Sequence, residues 1–159
     1  MNLGPTIIMA SALVAGSPAS AQTHPSMGPV VHGQLYFQTG AVSPREQQID
    51  PVEYLAPRVP HGSYVLVTGY ADTAGPPDEN LRLSRQRAFG IADRLVRLGV
   101  APSSITVVAC GETQLAKATG DGVDEPLNRR VYFDWQSGPY SSANGCTLSA
   151  YVSDSPATP

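Results

Sequence analysis

Two apolar runs, SYVLVTG at 63–69 and SITVVAC at 104–110, flank a long amphipathic segment, and this arrangement constrains the fold more than any other feature. Each run is rich in β-branched residues, and Gly62 and Gly69 bound the first, so both read as strands. Between them, Pro76-Pro77-Asp78 marks a helix start, with Asp78 as N-cap and Glu79 favourable in the first turn. At 100° per residue, Leu81, Ala88, Phe89, Ile91, Ala92, Leu95, Val96 and Leu98 gather on one half of the wheel, and Gly99 ends the helix. Arg85 falls inside that apolar half, in the second turn, where a helix overhanging the sheet edge would leave it in water. Residues 30–37 and 131–135 add two further strands, and 43–59 reads as a helix weakened or offset by Pro51. The resulting order is β-α-β-α-β-β. It implies an α+β sandwich, one mixed four-stranded sheet with helices packed on one face.

Length and charge narrow the class. The 159 residues suffice for one domain with a real core, and 42% of them are hydrophobic. A formal charge of -3 with only ten Lys and Arg argues against nucleic acid as the main partner. Residues 1–21 resemble a secretory signal peptide: an apolar run from Ile7 to Ala15, then Ala19-Ser20-Ala21 before Gln22 as a cleavage pattern. The run lacks the usual preceding Lys or Arg, and the rival reading is a buried apolar N-terminus. Residues 22–29 read as a linker, 30–135 as the domain, and 136–159 as a mobile Ser/Pro/Gly-rich tail. In an exported chain, Cys110 and Cys146 are most simply a disulfide tying that tail to a strand end. No cofactor is implied. His24, His32 and His61 have no partner at metal-ligand spacing, and no nucleophile elbow or phosphate-cradling glycine loop occurs.

Charge is sparse, yet six charged residues fall between positions 72 and 87: Asp72, Asp78, Glu79, Arg82, Arg85 and Arg87. Each has an ordinary explanation. Asp72, in a D-x-x-G turn, suits an Asx-turn, and Arg82 suits a solvated helix face. Asn80 suits a residue that satisfies backbone groups near the helix start, and Arg129 and Arg130 suit surface ion pairs.

The pattern as a whole points elsewhere. GYADTAG, then Asn80, Leu83, Ser84, Arg87 and Ala88 as N-x-x-L-S-x-x-R-A, then Asn128-Arg129-Arg130-Val131 before a strand, resemble the OmpA-like C-terminal domain. This is the peptidoglycan-associating module also found in peptidoglycan-associated lipoproteins and flagellar stator proteins. The resemblance spans about residues 33 to 135. It implies a non-enzymatic periplasmic domain, associated with the outer membrane and with envelope protein partners, that grips diaminopimelate in the stem peptide of the wall. It places the ligand-binding aspartate at Asp72 and the ligand-binding arginine at Arg87. Thr73, Asn80, Leu83, Arg129 and Arg130 accompany them, with one of the two NRR arginines reaching the site. Phe37, Gln38, Thr39 and Gly40 would form the first-strand loop of the pocket. Gln38 stands where the family often has Asp, and Thr39-Gly40 where it commonly has Asn or Asp, so the alternative is an interaction module that has lost wall binding.

The implied chemistry is simple. The free end of diaminopimelate carries an ammonium and a carboxylate on one carbon. An acid serves the first, and the planar donor fork of an arginine serves the second.

Overall fold

A computed structural model describes residues 32–47, 49–140 and 145–151. The expected leader at 1–21 and linker at 22–29 lie outside the described residues. Five strands form one open sheet in the order β1-β4-β2-β3-β5: β1 Gly33–Tyr36, β2 Tyr64–Gly69, β3 Ile105–Ala109, β4 Arg130–Gln136 and β5 Thr147–Ala150. Only β2 and β3 run parallel; the other pairs are antiparallel. The mixed sheet is as expected, with strand ends within a few residues of those read from the apolar runs.

Two helices, α1 (Pro51–Leu55) and α2 (Pro77–Arg97), contribute to one core with the sheet. Leu35, Val65, Val67, Val107, Val131 and Phe133 come from the strands, where they sit in register on one face. Val52 and Leu55 of α1 meet them, as do Ala88, Ile91, Ala92 and Leu95 of α2. The opposite face carries alternating polar and aromatic side chains, as period-two patterning requires. On it Arg130 stacks over Tyr70 at 3.9 Å, and Tyr132 stacks on His32.

The helix at 43–59 is shorter than its composition suggests. Pro51 opens the helix rather than weakening it, because a first-turn proline loses no helical hydrogen bond. Asp50 caps it, accepting the Val52 N–H at 2.9 Å, and also pairs with Arg94 of α2. Upstream, the chain runs extended along β1, with a bridge from Phe37 to Pro44 and an Arg45 N–H bond to the Tyr36 carbonyl. Burial works to raise the Asp50 pKa, but the bonds from Arg94 and the Val52 amide outweigh it and hold it low. Asp50→Ala should therefore cost about 1–2 kcal/mol in urea unfolding at neutral pH. Because the folded pKa lies below the unfolded one, the difference should shrink as pH falls through the lowered Asp50 value.

α2 departs from expectation in two ways. Pro76, not Asp78, occupies the N-cap, with Pro77 at the first helical position and Asp78 and Glu79 in the first turn. The buried stripe is also rotated. It runs through Asn80, Leu83, Ser84, Arg87, Ala88, Ile91, Ala92 and Leu95, while Leu81 and Leu98 are exposed. Arg85 is exposed and reaches Ser149 of β5. The N-terminal turns bury polar groups because they pass over loop ends rather than over the apolar sheet.

The fifth strand corrects the reading of 136–159 as a mobile tail. The Cys110–Cys146 disulfide fastens the chain to the end of β3, and Thr147–Ala150 then pairs antiparallel with that strand. Tyr151 follows it and is buried, with its hydroxyl donating to Asp93 at 2.6 Å and its ring near Phe89 of α2. A covalent tie and one aromatic anchor hold a segment whose side chains carry little apolar patterning. The end of the tail, 152–159, lies outside the described residues.

Candidate functional site

The ends of β1, β2 and β3, the start of β4 and the first half of α2 converge at one end of the sheet. A glycine sets how closely they approach. A Cβ on Gly69, the last residue of β2, would lie 2.0 Å from the Ser84 carbonyl oxygen of α2. Helix and strand backbones therefore nearly touch three residues before Asp72 on one chain segment and three before Arg87 on the other. Ser84 strengthens the junction, accepting the Gly111 N–H at 2.9 Å, and the Gly111 carbonyl accepts the Ala71 N–H at 2.7 Å.

Arg87 is wholly buried. Its side chain lies at the centre of the buried stripe. Nε donates to the Ala41 carbonyl at 2.8 Å, Nη2 to Gln38 at 3.1 Å and Nη1 to Tyr70 at 3.3 Å. The Phe37 ring lies 5.0 Å from the guanidinium carbon. Five N–H groups thus meet three carbonyls, leaving one N–H on each terminal nitrogen. No carboxylate among the described residues lies within ion-pair distance of it. Burial, with a smaller push from Arg129, lowers its pKa to about 10 despite the pull of Asp72. It is still a cation at neutral pH, and a buried cation without a contacting anion is costly.

Asp72 is also buried and pairs with the other arginine. Its Oδ2 accepts from Arg129 Nη1 at 2.5 Å and from the Glu125 N–H at 3.1 Å. The same Nη1 bonds Asp124, whose other oxygen accepts from Thr39 Oγ1 at 2.6 Å. Burial opposes the charge on Arg129, but the bonds to Asp72 and Asp124 more than offset it, so its pKa is raised. Asp124 is held low, by the Thr39 hydroxyl first and then by Arg129. Two guanidinium groups and two carboxylates therefore share the site with no net charge.

The remaining expected residues divide. Arg129 faces the site. Arg130 does not: it lies on the opposite sheet face over Tyr70 and donates to the Gln114 carbonyl. Asn80 is buried and donates to Glu112 at 2.6 Å rather than satisfying backbone at the helix start. Thr73 holds the long loop, donating to the Gly120 carbonyl and accepting the Val123 N–H. Leu83 is a core-facing side chain, whereas Gln38, Thr39 and Gly40 are exposed at the mouth. Arg82 lies in water and pairs with Glu79.

Two residues not singled out beforehand, Asp124 and Glu125, complete the arrangement together with Asn128 of the N-R-R motif. Asn128, fully buried, clamps Lys117 through both its backbone groups at 2.9 Å. Glu125 pairs with the Lys117 ammonium at 2.6 Å. The available signal was the density of acids in the loop at 111–127, which faces the arginines. A groove of 540 Å³ at the other end of the sheet, around Pro57, His61, Ser63 and Leu98, is lined by no carboxylate or guanidinium.

Comparison with known proteins identifies the family and the fold. The family model described as the OmpA family matches residues 42–129, which include Asp72, Asn80, Arg87 and Arg129. Over 67 residues, 42% of the chain, the sequence is 40% identical to outer membrane porin F of Pseudomonas fluorescens, covering 21% of that protein. Over 111 residues, 67% of the chain, it is 32% identical to the peptidoglycan-associated lipoprotein of Legionella pneumophila, covering 62% of it. The chain thus spans less than two thirds of either relative. The crystal structure of the peptidoglycan-associated lipoprotein from Burkholderia pseudomallei shares the fold, with a TM-score of 0.58 at 24% identity, over 65% of this chain and 89% of that one.

Proposed function

Because the chain belongs to the OmpA family, we propose that its domain binds peptidoglycan non-covalently, holding the free end of diaminopimelate between Asp72 and Arg87. The observation that carries this reading is the buried Arg87 guanidinium, with one unused N–H on each terminal nitrogen and no carboxylate in contact. A carboxylate arriving there can be held by both nitrogens and gives the guanidinium a contacting anion. The ammonium on the same carbon is met by Asp72. A zwitterion adds no net charge to a cluster that already balances, which favours it over a simple anion or cation. The domain acts as a binding module and not as an enzyme. Its place is the cell envelope, reached by export and held there by the wall itself.

One observation favours a second reading, in which the scaffold serves protein partners. Arg87 already holds the carbonyls of Gln38 and Ala41, and that loop lies over it. Sedimentation with purified sacculi separates the two. Wild type should pellet with the wall, and Asp72→Ala should leave most of the protein in the supernatant. Equal pelleting of both removes the proposed site.

A further inference from the structure

We propose that Asp124 is a latch across the mouth of this pocket, one that must release Thr39 before a ligand reaches Arg87. The inference rests on the pocket being the wall-binding site, as argued above. Its basis is a pair of contacts made by one side chain. Asp124 Oδ2 accepts from Thr39 in the loop after β1, and Oδ1 accepts from Arg129 Nη1 at the start of β4. It therefore ties the loop after β1, 85 residues away from it in sequence, to the start of β4. The side chain itself is 53% exposed, whereas those of Arg129 and Asp72 behind it are 4% and 5% exposed.

Beneath the latch, the loop at 38–41 is fastened only by polar contacts. Gln38 and Ala41 give their carbonyls to Arg87, and the Ala41 N–H closes a turn onto Gln38. Gly40 takes a φ of +69° at the tip, and Gln38, Thr39 and Gly40 bury no apolar surface of consequence. Once the outer tie is cut, only the carbonyl bonds to Arg87 and the Ala41 turn remain to be broken as the loop lifts. The unused N–H groups of Arg87 lie under it, so a carboxylate gains access only as it lifts. Asp124 is thus a gate and not the partner of the ligand's ammonium, a role that falls to the more deeply placed Asp72.

The test uses the whole domain in three forms: wild type, Thr39→Val and Asp124→Ala. Amide hydrogen exchange at Ala41, measured without ligand, reports the loop. Stopped-flow association with free diaminopimelate as the probe reports access. Loss of one such hydrogen bond should speed both Ala41 exchange and association by about 5-fold in either variant. Adding Asp124→Ala to Thr39→Val should speed Ala41 exchange no further, since the bond to Arg129 that it also removes does not touch the loop at 38–41. Unchanged exchange in both variants overturns the latch. Weaker binding by Asp124→Ala, with Thr39→Val unaffected, also overturns it and makes Asp124 a ligand contact. Faster exchange with no diaminopimelate binding in any form, wild type included, supports the latch as a loop closure and rejects the wall-binding reading instead.

Discussion

Arg87→Lys is expected to lower the stability of the domain by about 2–4 kcal/mol and to remove binding to purified sacculi at temperatures where the variant remains folded. Lysine keeps the positive charge, so the cost of burying a cation is still present. What it loses is the fork. The guanidinium reaches the Ala41, Gln38 and Tyr70 carbonyls from three nitrogens, and an ammonium on a flexible stem meets only part of that set. Each charge-assisted bond contributes about 1.5–3 kcal/mol net, and two of them are forfeited. Water reaching the exposed Gln38 recovers part of the resulting loss of roughly 3–6 kcal/mol, which brings the expected total to about 2–4 kcal/mol. Urea unfolding measures the first effect and sedimentation with sacculi the second. A variant that is less stable yet pellets like wild type would make Arg87 a purely structural residue.

Gly69→Ala should be the more damaging change to the fold, at about 3 kcal/mol or more. The new Cβ meets backbone rather than a side-chain tip: 2.0 Å from the Ser84 carbonyl oxygen and 2.8 Å from its carbon. Relief requires α2 to move away from β2 as a unit, because no rotamer change clears a main-chain clash. That shift also moves Arg87 relative to Asp72, so wall binding should fall in the fraction that stays folded. Circular dichroism melts of the two proteins check the stability claim. A melting temperature within a degree of wild type would mean that the helix and strand do not meet as closely as described.

How much of this could be read in advance depends on the range over which each cause acts. The pairing of 63–69 with 104–110 and the helix between them follow from patterns contained within each segment, and all three are present. β5 follows from something else. Thr147–Ala150 is too short for its alternation to announce a strand, and a disulfide between cysteines 36 residues apart, together with the buried Tyr151, holds it. The helix wheel also misplaced the buried face of α2. Periodicity ranks positions by hydrophobicity, but Asn80, Ser84 and Arg87 are buried by loops that arrive from elsewhere in the chain. At the site itself, the family pattern placed Asp72, Arg87 and one of Arg129 and Arg130 together, and in the structure Asp72, Arg87 and Arg129 lie near one another. It could not indicate that Asp72 contacts Arg129 while Arg87 holds backbone carbonyls, since that division depends on side-chain reach across three loops. Asp124 escaped notice for the same reason: its importance lies in touching Thr39, a residue far away in sequence.

The most direct test observes the Arg87 guanidinium itself. In an NMR titration with free diaminopimelate, the Arg87 Nε–H resonance should shift saturably together with the Glu125 amide that donates to Asp72. If both signals stay fixed at high ligand concentration while the domain remains folded, no amino-acid zwitterion is held between the two residues.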